Sequence, residues 1–137
     1  MRNATLPKHG GRGEFVVNIA TEEYIQQLAH SAAPLPYGVS EFDLTGLTPL
    51  PSRVVAPPRI AQASLQFECR TTQVIAVGVA TLLIGEVVSI SVRDDLLDER
   101  GRLDPSRLRA VGRMAGSTYT RTTDRFDLGD QAFFPSR

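Results

Sequence analysis

Between Gly112 and Arg121 the chain reads GRMAGSTYTR, a set of residue types suited to a flat, anionic ligand. Gly112 and Gly116 let a backbone approach closely. Arg113 and Arg121 offer planar, charged donors that match a carboxylate or phosphate edge, and Tyr119 offers a ring face and a hydroxyl. The competing reading is a helix stop at Gly112 followed by an edge strand, with Arg113 paired to an acid such as Asp94 or Asp104 and Tyr119 simply packed. Other constellations carry less chemistry. Gly10-Gly11-Arg12-Gly13 has no strand before it and no helix after it, so it lacks the context of a phosphate loop and reads as part of a flexible segment over residues 1–12. Asp94, Asp95, Asp98 and Glu99 do not have calcium-loop spacing and read as a solvated turn. His9 and His30 are far apart, with no Cys or acid at metal-ligand spacing, so no metal site is expected. No Ser-His-Asp set or nucleophile elbow is recognisable. The single cysteine, Cys69, falls in a strand pattern and reads as a buried, inert thiol.

The elements that must position the Gly112–Arg121 segment follow from local patterns. Leu82 to Val92 is an aliphatic run of strand type, and Gly85 inside it predicts a bulge or a close approach by another group. Asp104 predicts an N-cap with Pro105 at the first helical position, a Leu103–Leu108 staple, and a helix running to about Gly112. Upstream, Glu14 to Ile19 reads as a strand. Thr21 reads as the cap of a helix with Glu22 and Glu23 in its first turn, ended by Pro34 and Pro36. Residues 34–58, rich in proline and small residues, read as one long loop pinned by Phe42, Leu44, Leu47 and Leu50. From Ala63 the pattern alternates, with Leu65, Phe67 and Cys69 toward a core and Gln66, Glu68 and Arg70 on the opposite side. Gly78 predicts the hairpin into Thr81. The result is mainly β with two short helices, and the pattern alone does not choose between a barrel and a sandwich.

Several segments in order resemble a known family: GEFVVNIATEE, SAAPLPYGVSEFDLTGLTPLPSRVVAPPRIA, ASLQFECR, IGEVV, and GRLDPSRLRAVGRMAGSTYTR. Together they are similar to the flavin reductase-like family of FMN-binding split β-barrel proteins, over Gly13 to about Leu128. The resemblance implies a Greek-key split barrel over residues 13–128, incomplete at its N-terminus because the family's opening strands have no counterpart here, with a tail over 129–137. It also implies a homodimer with FMN, or FAD, near the subunit contact, and NAD(P)H as co-substrate. Carried onto this sequence, it implies that Arg113 and Arg121 balance negative charge on phosphate or reduced flavin, that Gly116 gives room and that Tyr119 packs near the ring. Asn18 would donate a hydrogen bond at a strand end, and Ser31 would border the pocket from a proline-rich loop. Two departures stand out: Ala115 replaces a frequent glycine, and Val79-Ala80 stands where one branch carries a histidine associated with nicotinamide use.

Composition narrows the classes. A chain of 137 residues is one domain by size. Fifteen basic and fifteen acidic side chains give a net charge of zero, so no broad attraction to nucleic acid or a membrane surface is expected. No apolar stretch is long enough to span a bilayer as a helix, and no charged-then-apolar leader is seen, so cytoplasm is the default expectation. Two functions remain open: NAD(P)H:flavin oxidoreductase chemistry, with an oxygenase as possible recipient of reduced flavin, or a truncated, non-catalytic barrel remnant that serves as a dimerisation or interaction module.

Overall fold

Two long strands carry the molecule, and the computed structural model describes them together with the rest of residues 13–34 and 37–129. The expectations for residues 1–12, for Pro36 and for the tail beyond Gly129 lie outside the described residues. Strands β4 (Leu65–Val77) and β5 (Ala80–Val92) form an antiparallel hairpin. Gly78 turns it with φ 58°, a left-handed conformation that favours glycine. Strand β1 (Glu14–Asn18) pairs along the other edge of β4, from Glu14 opposite Arg70 to Asn18 opposite Gln66, giving the order β1-β4-β5. Gly85 lies beside a register shift at Thr71/Gln73. A Cβ at Gly85 would lie 2.6 Å from the Phe15 ring and 3.1 Å from the Arg70 carbonyl oxygen, which is the close approach the sequence predicts.

Helix α1 (Ile25–His30) begins later than expected. Thr21 does not cap it. Thr21 is drawn into a bridge with Ala110, its hydroxyl is buried without a hydrogen-bond partner among the described residues, and the cap position falls to Tyr24. A tertiary contact thus overrides a local capping preference. The helix closes at Ser31, ahead of Pro34. The segment 34–58 is not one loop. It contains helix α2 (Glu41–Thr45), capped by Ser40, whose hydroxyl accepts from the Phe42 N–H at 3.2 Å, and closed by Gly46 at φ 67°. The signal for it was present: a serine cap, acids in the first turn and a glycine stop. Short strands β2 (Pro49–Leu50) and β3 (Arg59–Ile60) then pair antiparallel.

Tyr24, Leu47 and Ala63 form the centre of the apolar core, with Leu28, Phe42 and Ile60 against them. Leu47 and Phe42 therefore pin the segment as expected, whereas Leu44 and Leu50 stay exposed. Tyr24 donates its hydroxyl proton to the Ile19 carbonyl at 2.7 Å, and burial pushes the phenol up to about 12.

The alternation on β4 needs the largest correction. Leu65 and Cys69 are buried as expected, but so are Gln66 and Glu68 on the opposite face. Glu68, only 1% exposed, accepts hydrogen bonds from three consecutive backbone N–H groups: Arg53 at 2.9 Å, Val54 at 2.7 Å and Val55 at 3.2 Å. Arg59 lies 3.7 Å away and bridges the Pro51 carbonyl to Gln66 and Ser91. Gln66 in turn donates to the Ile60 and Ala63 carbonyls. The proline-rich segment folds over this face of the sheet because the buried carboxylate needs donors and the segment's backbone supplies them.

Helix α3 (Pro105–Leu108) is capped by Asp104, which accepts from the Ser106 N–H at 2.8 Å, as predicted. It ends after one turn at Arg109 (φ 51°), not near Gly112, which lies inside strand β6 (Val111–Ala115). The acidic turn closes on itself: Asp98 accepts from the Arg100 and Arg102 N–H groups and pairs with the Arg102 side chain. Among the described residues no cluster suited to a metal ion occurs, and no helix is long and apolar enough to cross a membrane.

Glu68→Ala leaves three backbone donors and Arg59 facing no anion, and is expected to cost roughly 3 kcal/mol, with Glu68→Gln in between. Burial raises the Glu68 pKa, but the three N–H groups and Arg59 outweigh it and hold the carboxyl below its ordinary 4.5. Its contribution is therefore complete above pH 4.5 and is lost as pH falls through the lower folded value. Denaturant midpoints of wild type and Glu68→Gln should converge as pH drops below 4.5; a constant gap would contradict this account. Gly85→Val should cost about 1–3 kcal/mol through overlap with Phe15, and relief of that cost by Phe15→Ala in the double variant tests the named contact.

Candidate functional site: one face of the terminal hairpin

Strand β6 pairs with β7 (Thr118–Arg121), turning at Gly116 with φ 55°. The expected glycine loop is thus a β-hairpin. Its register sets Arg113 opposite Tyr119 and Val111 opposite Arg121. Directly opposed residues and those two apart share one side of a ribbon. Arg113, Tyr119 and Arg121 therefore project from one face: two guanidinium groups with a half-buried phenol ring between them in the strand order. The other face explains Gly112, where a Cβ would meet the Thr120 methyl at 3.1 Å. Gly116 has nothing near it that a side chain would touch, so its role here is the turn conformation and not a close approach.

The two arginines differ. Among the described residues Arg113 donates only to the Gly116 carbonyl, at 3.3 and 3.1 Å, and makes no ion pair with Asp94 or Asp104; Asp104 pairs instead with Arg107 at 3.2 Å. Arg121 is committed to Glu22, which also holds Arg109 at 2.5 Å. The Glu22 side chain is 14% exposed. Burial raises its pKa, but Arg121 and Arg109 outweigh that and hold the carboxyl below the ordinary 4.5. Backbone bonds complete the anchor: the Val111 N–H donates to the Ala20 carbonyl and the Glu22 N–H to the Arg109 carbonyl. Beside it, Arg93 bridges Glu23 and Asp95, tying the end of β5 to the entry of α1.

The other two expected contributors are not part of this face. The Asn18 side-chain oxygen accepts from the Ile60 N–H at 3.0 Å, which joins β1 to β3 and fixes the amide, while its NH2 group has no acceptor among the described residues. The Ser31 hydroxyl donates to the Leu28 carbonyl at 2.7 Å and lines a separate, mainly apolar cleft with Leu28, Phe42, Thr45, Leu47 and Ile60. Glu22 and Arg109 are the residues that sequence reasoning missed. Glu22 looked like a helix-dipole acid, and its distance along the chain from Arg121 hid the pairing.

The chain is mainly β, with a three-stranded sheet, two short two-stranded ribbons and small helices, and comparison with known proteins places it in the split-barrel class. The sequence model of the flavin reductase like domain matches residues 2–112, so the chain belongs to that family. Arg113, Gly116, Tyr119 and Arg121 lie just past the matched stretch. The chain is 38% identical over 122 residues to the uncharacterized protein BH2278 of Halalkalibacterium halodurans, covering 85% of this chain and 58% of that one. It superposes on nitrilotriacetate monooxygenase component B from Bacillus cereus with a TM-score of 0.79 at 35% identity, over 85% of this chain and 60% of the other. A split-barrel-domain protein of Shewanella frigidimarina, at 21% identity and a TM-score of 0.77, shares the fold. The chain spans less than two thirds of the length of these proteins.

Glu22→Gln is expected to reduce hydrogen-exchange protection across Val111–Arg121 while leaving the centre of β4 unchanged, because Glu22 anchors the hairpin through Arg109 and Arg121. Arg113→Ala should leave that protection intact. Equal loss in both variants would show that Glu22 is not the anchor.

Proposed function

We propose that this chain is a flavin-binding protein of the flavin reductase type, with FMN as its cofactor and FAD as the alternative. The observation that carries this reading is the shared hairpin face of Arg113, Tyr119 and Arg121 in a member of this family. Flavin, when bound, supplies the redox chemistry by taking a hydride from reduced NAD(P)H and passing electrons on. Among the described residues Arg113 has no acid on its guanidinium, and it offers charge to a phosphate or to the anionic edge of a reduced ring. Tyr119, directly opposite, offers an aromatic face. Arg121 is partly neutralised by Glu22 and contributes mainly by holding the hairpin in place. The fit to flavin is partial: the hairpin side chains suit one edge of a planar anion, while Asn18 and Ser31 stand apart from that face, Asn18 bonded to Ile60 and Ser31 at the rim of the Leu28–Phe42 cleft.

In the same reading the protein works as a pair of identical copies, with flavin near their contact. The relative named as a monooxygenase component suggests an oxygenase as the recipient of reduced flavin. The second reading, a non-catalytic barrel piece that pairs but holds no flavin, is favoured by one observation: the described strands leave the sheet open, with β1 and β5 both at its edges.

Adding FMN, removing the excess and recording the visible spectrum separates the two. A yellow, stoichiometric complex that oxidises NADH or NADPH in steady state is the expected result. Arg113→Ala and Tyr119→Phe should each weaken FMN affinity without changing the far-ultraviolet circular dichroism. A folded, colourless protein would decide for the second reading, and unchanged affinity in both variants would move the flavin off this hairpin.

A further inference from the structure

We infer that the cleft between α1 and α2 is a binding site for a small apolar cation: a single aromatic ring carrying an ammonium group. The cleft shares no residue with the hairpin face of Arg113 and Tyr119, so the inference goes beyond the flavin reading and does not rest on it.

The cleft is assembled from parts distant in the chain. Helix α1 supplies Leu28, α2 supplies Phe42, the stretch before β2 supplies Leu47 and β3 supplies Ile60. Leu47 is buried at the centre of the core, and Leu28, Phe42 and Ile60 pack against it while staying only half-buried themselves. The core thus fixes the floor, and three apolar side chains form the walls. The space enclosed is about 110 Å³. Apolar cavities of roughly 150 Å³ lined by Leu, Ile and Phe stay dry and take up benzene. One ring therefore fits here, and a three-ring system such as flavin does not.

The polar groups decide what the ring carries. The Thr45 hydroxyl donates to the Glu41 carbonyl at 2.7 Å and accepts from the Leu47 N–H at 3.3 Å. The Ser31 hydroxyl donates to the Leu28 carbonyl at 2.7 Å. Both hydroxyl protons are committed, so neither is left for an anion, while the Ser31 oxygen can still accept. Glu41, the charged residue of the lining, is exposed, and its carboxylate has no hydrogen bond or ion pair among the described residues. Asp43 adds a second acid on α2, and residues 31–52 contain no lysine or arginine. An ammonium group supplies both the opposite charge and the donors that this rim lacks. Phe42 adds an aromatic wall, a surface that favours cations. A ring bearing a carboxylate meets like charge, and a neutral ring gains the apolar contact alone.

Three probes of similar shape separate these contributions: benzylamine, benzyl alcohol and benzoate, each titrated into the full chain at neutral pH and followed by amide chemical shifts. Benzylamine is expected to shift the amides of Leu28, Phe42, Leu47 and Ile60 saturably, with an affinity roughly threefold above that of benzyl alcohol, the worth of an exposed ion pair. Benzoate is expected to give no saturable shift. Glu41→Gln, a change at an exposed position, should bring benzylamine down to the benzyl alcohol affinity with circular dichroism unchanged. Ser31→Leu, which fills the mouth of the cleft, should abolish binding of both; the probe series on wild type stands even if this variant does not fold. Absence of saturable benzylamine shifts, benzoate binding as tight as benzylamine, or a benzylamine affinity untouched by Glu41→Gln overturns the inference. Shifts confined to residues 111–121 overturn it too, by putting the amine on the hairpin. FMN uptake, recorded separately, decides the flavin reading independently of these results.

Discussion

A carboxylate removed from water must be given donors, and in this chain that requirement organises one whole side of the sheet. Glu68 takes the N–H groups of Arg53, Val54 and Val55, so a stretch with no regular structure of its own is bent over β4 and held there. Arg59 follows because it is the nearby cation, and it locks Pro51, Gln66 and Ser91 into the same network. Ile60, next in the chain, then reaches Asn18 through its N–H and reaches the Tyr24–Leu47–Ala63 core through its side chain. The apolar core is small, and buried polar groups specify much of how its parts meet. Such a network is costly when half satisfied and uniquely ordering when complete.

The hairpin that carries the candidate site is held by different means. Its attachments are the backbone bonds from Val111 to Ala20 and from Glu22 to Arg109 and the Glu22 carboxylate gripping two arginines near the surface. Exposed ion pairs contribute little, and only the partial burial of Glu22 gives this one weight. A candidate face mounted on a ribbon with few attachments is cheap to displace, because low local stability is where moving elements are drawn from. The Glu68 network and the hairpin face lie on separate parts of the fold.

The family assignment and the open sheet bear on each other. A barrel removes edges by closing, and the described strands here do not close. The aliphatic arm of β4–β5 is the largest consequence: its side chains have the composition of an interior and the exposure of a surface.

Local chemistry by itself determined strands β1, β4 and β5, the hairpin at Gly78, the cap at Asp104, the tight packing at Gly85 and the family. Each depends on neighbours close in sequence or on motif order, so each was readable. What only the tertiary structure decided were the pairings of groups far apart. Glu68 looked like the solvent side of an alternating strand because nothing nearby in sequence announces three donors from Arg53–Val55. Thr21 looked like a cap until Ala110 claimed its backbone. Arg113 and Arg121 looked equivalent until Glu22 neutralised one of them. Helix α3 looked two turns long, but Arg109 turned left-handed so that Val111 could pair with Ala20. In each case a buried or partly buried polar group had to find its partner across space, and periodicity carries no record of that partner's address.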